Sequence, residues 1–319
     1  MAVYTKVSES EAQAIATAHG LGQVIAVEPV AAGSVNTNYF LRCDTGRYFL
    51  RVYEEQGVEG VRYEWALLGH LGRAGAPVPD RVSGTEPGQC RVAGKPTAVF
   101  RVIGGGESCQ KAVSITRAFE VGVALGRCHA AGNDFPLRQV SRFNTSWLKE
   151  QLRDIEARQR PELMETTGLL VAGLQEAERA RGVKLGVIHG DLFRDNVRWE
   201  GDRIVGLLDW ESASDGVLAF DLMVTVLAWC FDDTLEWPLA RAMVDGYQTQ
   251  RRLSADEAAT LREWGIAAAT RFSITRILSY HLREDAIGDR IKKDYRRFVQ
   301  RLQLLRSLSA DEVAARLVG

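Results

Sequence analysis

Apolar and polar residues alternate in short runs along the first hundred residues, and over most of the rest the apolar positions recur at helical spacing. Residues 38–42 and 48–53 are two β-rich runs on either side of Asp44-Thr45-Gly46, a sequence suited to a hairpin turn. Over residues 61–73 the period lengthens, with Trp65, Leu67, Leu68 and Leu71 on one helical face. That pattern ends at glycines and at the extended Ala76-Pro77-Val78-Pro79. Strands resume at 89–92 and 97–102, and Gly104-Gly105-Gly106 then breaks the pattern. The spacing of Ser8 and Glu11 predicts a capped helix start ahead of the sheet.

Beyond the glycines, residues 118–131, 147–158, 240–250, 255–280 and 295–308 read as helices, interrupted by one strand-rich stretch at 187–210. The charged segment 150–181 reads as a solvated helical hairpin. The longest apolar run, 222–231, lies between Asp221 and Asp232 and is far short of the roughly 20 residues a membrane span needs, so it predicts a buried helix. The fold class expected is α+β in two lobes: an antiparallel sheet with an inserted helix over residues 1–101, and a mainly helical lobe over 102–319.

Composition narrows the partners. With 319 residues, 46% of them hydrophobic, the chain can bury a large core, which favours two lobes over one. Forty basic residues are interspersed with 41 acidic ones, which argues against nucleic acid or a membrane surface as partner and for a small-molecule ligand. The five cysteines are scattered without a Cys-x-x-Cys pair, and the five histidines show no His-x-x-x-His spacing, so reduced thiols and no zinc site are expected. The opening MAVYTKVSESEAQAI lacks the zones of a signal peptide. A cytoplasmic location is expected.

The candidate chemistry lies in His189-Gly190-Asp191-Leu192-Phe193-Arg194-Asp195-Asn196. Its Asp-x-x-x-x-Asn spacing is that of a phosphoryl-transfer loop, in which a carboxylate orients the acceptor hydroxyl and takes its proton while a neutral oxygen helps hold Mg²⁺ on the phosphates. Asp191 and Asn196 supply these groups. A second carboxylate, Asp209, ends the apolar run 204–208, which is joined to Val197-Arg198-Trp199 by the turn Glu200-Gly201-Asp202. In such a hairpin the start of one strand faces the end of the other, so Asn196 and Asp209 arrive at one end of the ribbon. Either element alone is common in loops; the ordered combination is specific.

The sheet supplies the remainder. Ala32-Gly33-Ser34-Val35-Asn36 precedes a strand, and its small residues let backbone N–H groups approach phosphates. Arg51, on the following strand, is the cation best placed to reach phosphates from the inner face, and Glu64 on the helix is its ion-pair partner. His129 reads as a packing residue and His189 as support for the loop. Trp147, Trp210 and Trp229 read as core.

Taken in order, the strand, glycine turn, cation strand, Glu helix, HGDLFRDN and LLDWE resemble the aminoglycoside phosphotransferase-like kinases of the protein-kinase-like superfamily over nearly the whole chain. Segments such as AAGSVNTNYF, AGNDFPLRQVSRFN, AWCF and RFSITRILSY resemble, within that family, the homoserine kinases. The resemblance implies ATP and Mg²⁺, Asp191 as catalytic aspartate, Asn196 and Asp209 as metal ligands, Phe100 to Val102 as the adenine-binding hinge and Asp221 as a structural aspartate. Two departures stand out: Arg51 replaces the lysine of the wider family, and Trp210-Glu211-Ser212-Ala213 replaces an aromatic-rich stretch near the acceptor. A homoserine pocket must satisfy a carboxylate and an ammonium, for which Arg142, Asn144 and Glu211 are the candidates. A kinase of the same fold for another amino alcohol, aminoglycoside or sugar is the alternative. A non-catalytic nucleotide-binding regulator is the third class, against which the intact Asp191, Asn196 and Asp209 count.

Overall fold

The computed structural model describes residues 4–30, 35–105, 113–180, 184–282 and 293–319, which fall into two compact units. The first unit comprises Met1–Gly105 together with Val205–Glu211 from much later in the chain. Helix α1 (Glu9–Ala18) starts in the expected capping box, with Ser8 Oγ accepting from Glu11 N at 3.2 Å and the Glu11 carboxylate accepting from Ser8 N at 2.9 Å. Strands β1 (Val24–Val30), β2 (Thr37–Cys43) and β3 (Gly46–Val52) follow, then helix α2 (Val58–Arg73) and strands β4 (Arg91–Val92) and β5 (Lys95–Arg101). The sheet runs β1-β2-β3-β5-β4 and its pairs are antiparallel.

Side chains alternate across this sheet. Tyr39, Leu41, Leu50, Val52 and Val99 bury themselves on one face with Ala12, Ile15 and Ala16 of α1. The intervening residues occupy the other face, where Asn38, Arg51 and Ala98 stand in register across three strands. β1 is absent from the pattern-based reading. It is an edge strand carrying Glu28 and Pro29, half-buried along most of its length, so it lacks the strict alternation that marks a strand.

The second unit is mainly helical: Gly106–Ile204, Ser212–Glu284 and Lys292–Gly319. In order it contains α3 (Ile115–Ala131), α4 (Thr145–Ala157), α5 (Met164–Ala177), β6 (Leu185–Ile188) and β7 (Val197–Glu200). β8 (Arg203–Leu207) pairs with β7 and leads back into the first unit. Next come β9 (Ser214–Val217), α6 (Leu218–Trp229), α7 (Trp237–Gln248), α8 (Ala255–Ala259), α9 (Leu261–Arg276), α10 (Arg296–Arg306) and α11 (Ala310–Leu317). α6 is buried nearly all round, in keeping with its uniform apolarity. None of the helices is long and apolar enough to cross a membrane, among the described residues.

α3 and α7 approach through glycine. A Cβ on Gly122 would lie 1.9 Å from Met243 O, and one on Gly246 would lie 2.1 Å from Phe119 O, so neither position accepts a side chain. This close packing sets α3 and α7 against each other beneath the candidate catalytic loop.

Three readings of the helical unit need correction. The expected helix over 255–280 is broken at Thr260, whose hydroxyl bonds Asp256 O at 2.9 Å; the continuous apolar period hides this local competition. The segment 150–181 is not a solvated hairpin, because Leu152, Ile155, Leu170 and Leu174 are buried and α5 packs on α9. β9 and α11 are additional elements. β9 pairs antiparallel with β6 but contains Asp215 and Gly216, and α11 is a short helix fixed by its Ser309–Glu312 capping box.

Candidate active site

In the first unit the site begins with hairpin register. The two-residue turn pairs Cys43 with Gly46, and this pairing places Asn38 opposite Arg51. Arg51 Nε donates to Asn38 Oδ1 at 3.4 Å, and its Nη1 lies 3.6 Å from Glu64 of α2 and 3.3 Å from Asp209. The expected Arg51–Glu64 pair is therefore shared with the carboxylate that follows β8. Asp209 is carried there by β8, whose last residue, Leu207, donates its N–H to Pro77 O at 2.6 Å. The Asp209 backbone sits at φ +64°, a left-handed conformation that an aspartate adopts more readily than most residues but still at some strain.

Burial and charge shape this cluster. Burial lowers the Arg51 pKa, but the charges of Asp209 and then Glu64 outweigh it and raise the pKa overall. Burial pushes Glu64 up to about 7, opposed by Arg51 and assisted by Asp209. One Glu64 oxygen is buried without a hydrogen-bond partner, consistent with a carboxyl that holds a proton easily. Burial also raises Tyr53, which is hydrogen-bonded to Glu64. Asn36, expected near phosphates, donates Nδ2 to the buried Glu211 carboxylate and accepts Glu54 N–H at 3.2 Å. Gln56 donates to Glu211 O at 2.8 Å. Gly33 and Ser34 lie outside the described residues. Phe100 is buried against Trp65, with ring centroids 5.8 Å apart, and Val102 follows β5 half-buried.

In the second unit, Asp221 in the first turn of α6 organises the loop. It accepts His189 N–H on one oxygen and Gly190 N–H on the other, both at 2.7 Å, and His129 Nε2 lies 3.0 Å from the first of these oxygens. Burial raises its pKa, but the His129 bond, the histidine charges and the backbone N–H hold it below the ordinary carboxylate range. Gly190 adopts φ +77°, and a Cβ there would meet Ser212 O at 3.1 Å, so glycine is required for this turn. Asp191 N–H donates to His189 Nδ1 at 3.2 Å, giving His189 the supporting role expected of it. Asp191 O accepts from Phe193 N–H and from Asn196 Nδ2, each at 2.8 Å. With its nitrogen thus engaged, Asn196 keeps Oδ1 as an acceptor.

His129 is buried, as expected of a packing residue, and links Asp221 to Tyr247 of α7, whose hydroxyl is 2.8 Å away. Tyr247 in turn accepts from Arg251 at 3.0 Å, and Arg251 pairs with Glu257 at 2.6 Å.

The acceptor candidates separate. Asn144 is the N-cap of α4, accepting Trp147 N–H and donating to Ser141 O, each at 3.0 Å. Arg142 is exposed and lies over Phe143 at 4.7 Å. Glu211 belongs with Asn36 in the first unit. Sequence reasoning missed Asn38, Gln56 and Tyr53. Asn38 was accessible from the two-residue turn, whereas Tyr53 depends on how α2 brings Glu64 to the sheet and Gln56 on the return of 205–211.

Comparison with known proteins matches the chain over residues 26–262 to the phosphotransferase enzyme family. A homoserine kinase of Paramagnetospirillum magneticum is 33% identical over 292 residues, covering 86% of this chain and 88% of that protein. A homoserine kinase of Mesorhizobium japonicum is 30% identical over 317 residues, 97% of this chain and 98% of that protein. Among solved structures, an amicoumacin kinase in complex with AMP-PNP, Ca²⁺ and Ami superposes with a TM-score of 0.66 at 15% identity, covering 95% of this chain and 93% of that one. A choline/ethanolamine kinase family protein of Mesorhizobium loti gives 0.62 at 17% identity, covering 97% of each chain. These structures share the fold, a curled antiparallel sheet and a helical lobe of the protein-kinase-like kind. With a family match across most of its length and relatives of this identity, the chain belongs to the phosphotransferase enzyme family.

Proposed function

We propose that this chain is an ATP-dependent kinase that phosphorylates the side-chain hydroxyl of L-homoserine to O-phospho-L-homoserine, in threonine biosynthesis. The observation that carries the reading is the loop 189–196. Asp221 fixes its first two backbone N–H groups, and Asn196 is tied to the Asp191 carbonyl. The similarity to homoserine kinases across most of both chains supports the choice of acceptor.

In this reading residues 1–101 bind the nucleotide and 102–319 carry the acceptor. Arg51, held by Glu64, faces the phosphates together with Gly33, Ser34 and Asn36, and Phe100 and Val102 flank the adenine. Asn196 Oδ1 and Asp209 would hold Mg²⁺, which when bound would supply positive charge to the phosphates. The first unit's cluster sets three carboxyl groups, Glu64, Asp209 and Glu211, about the single Arg51 guanidinium, a surplus of acid that favours a further cation. Among the described residues no group of three or more His, Cys, Asp or Glu could hold a metal alone. A phosphate-bound Mg²⁺ needs only one or two protein oxygens. The complex of the amicoumacin kinase with AMP-PNP and Ca²⁺ supports the pairing of nucleotide and divalent cation.

Asp191 orients the acceptor hydroxyl and takes its proton as the oxygen bonds to the γ-phosphorus and the β–γ P–O bond breaks, releasing ADP. Cys43, Cys90, Cys128 and Cys230 are free thiols, which supports the cytoplasm as the location. The test is a steady-state assay with Mg-ATP across L-homoserine, other amino alcohols, aminoglycosides and sugars. Homoserine should give the highest kcat/KM; better use of any other acceptor would overturn the homoserine assignment.

A further inference from the structure

Arg271 of α9 is 5% exposed, and its guanidinium lies 4.3 Å from the ring centroid of Phe143 and 4.5 Å from that of Phe272. Stacking on two rings fixes the plane of the fork. Its Nη1 donates to the carbonyl of Gly190, the residue before Asp191, while its Nε is buried without a partner. Among the described residues no carboxylate forms an ion pair with it. A guanidinium has five N–H donors and does not shed its charge at neutral pH, so one carbonyl leaves it under-satisfied in a site where unpaired charge is costly.

The electrostatic surroundings point the same way. Burial lowers the Arg271 pKa to about 10, Asp191 opposes that shift, and Arg142 adds to it. Arg276, further along α9, feels the Asp191 charge as well. The Asp191 charge is thus felt by both Arg271 and Arg276, beside that of Asp221 at the first and of Asp294 at the second. The carboxylate of an amino-acid acceptor brought up to a catalytic carboxylate would be repelled unless a positive group offset its charge.

We propose that Arg271 binds the carboxylate of the acceptor, which makes it the residue that selects an amino acid over a simple amino alcohol. The inference rests on the homoserine reading and assigns the residue that enforces it. Arg271 is held rigidly beside Gly190, so a carboxylate on its fork leaves the hydroxyl of a short side chain to meet Asp191. Arg142, exposed at the rim, contributes field and not the fork.

The experiment compares kcat/KM for L-homoserine and for 3-aminopropan-1-ol, which is homoserine without its carboxylate, in the wild-type protein and in Arg271→Gln. The wild type should prefer homoserine strongly, and the preference should shrink by about a hundredfold or more in the variant, mainly through KM for homoserine. The KM for ATP should stay within about twofold. An equal loss on both acceptors would overturn the inference alone, since Arg271 would then only support the Gly190 carbonyl. Wild-type protein that used 3-aminopropan-1-ol as well as homoserine would also overturn it. Wild-type protein that left homoserine unphosphorylated would overturn the homoserine reading and this inference together. Should Arg271→Gln unfold, Arg271→Lys, which retains charge but loses the planar fork, gives the same ratio.

Discussion

The Arg51 guanidinium lies 3.3 Å from the Asp209 carboxylate, nearer than the 3.6 Å that separates it from Glu64. The cation on the central strand therefore holds two acids, one from the adjoining helix and one delivered from the ribbon that follows the candidate catalytic loop. Asp209 is fixed from both sides, by this charge and by the docking of Leu207 on Pro77. The left-handed backbone at φ +64° is the local strain that such anchoring sustains.

Asp209→Asn should preserve this backbone, because asparagine tolerates the left-handed region, while removing the charge. The variant should require more Mg²⁺ for half-maximal rate and turn over at least about a hundredfold more slowly at saturation. Rate against Mg²⁺ concentration is the measurement; overlaying titrations of variant and wild type would remove Asp209 from the metal site.

Glu64 gives a pH dependence with a definite sign. Its carboxyl is raised from 4.5 to about 7, so between those values the folded protein keeps a proton that the unfolded chain releases. Stability from this group is thus present at the acid end and is lost as pH rises through about 7. Glu64→Gln should flatten the thermal midpoint across that window. Parallel curves for the two proteins would show that Glu64 does not titrate there.

The parts of the fold that are legible in the sequence are those governed by local period and turn chemistry. The β2–β3 hairpin, α2 and the α1 capping box follow from alternation, helical spacing and the Ser8–Glu11 pair. β1 and β9 escape because edge position, Pro29, Asp215 and Gly216 dilute the strand pattern. In the candidate site, the tie between Asp191 and Asn196 is foreshadowed by their spacing, and the Arg51–Glu64 pair by its place on a strand and the next helix. Long-range returns are different in kind. Nothing local in Glu211 indicates that its carboxylate meets Asn36, or in Arg271 that its fork meets the Gly190 carbonyl.

Asp221 should be a stability residue before it is anything else. Asp221→Ala would leave the N–H groups of His189 and Gly190 and the His129 ring without their buried acceptor, for a loss of about 3 kcal/mol or more. Denaturant unfolding should show this with an unchanged m-value. Activity in the fraction that remains folded should fall too, because the loop loses its anchor. A loss below about 0.5 kcal/mol would mean that the loop is held by other contacts.

Asp191→Ala isolates the chemical step. The loop backbone is held by bonds to main-chain atoms: Asp221 to the N–H groups of His189 and Gly190, and Asn196 Nδ2 to Asp191 O. None of these uses the Asp191 carboxylate, so the variant should fold and keep its loop. What it loses is the group that orients the acceptor hydroxyl and takes its proton, a contribution of about two to four orders of magnitude in kcat. The nucleotide groups assigned to the first unit are untouched, so ATP affinity should stay close to that of the wild type. Steady-state kinetics in homoserine and ATP, with nucleotide binding measured separately, separates the two effects. Near-normal turnover in Asp191→Ala would remove Asp191 from the reaction, and a parallel loss of ATP binding would point instead to a general collapse of the site.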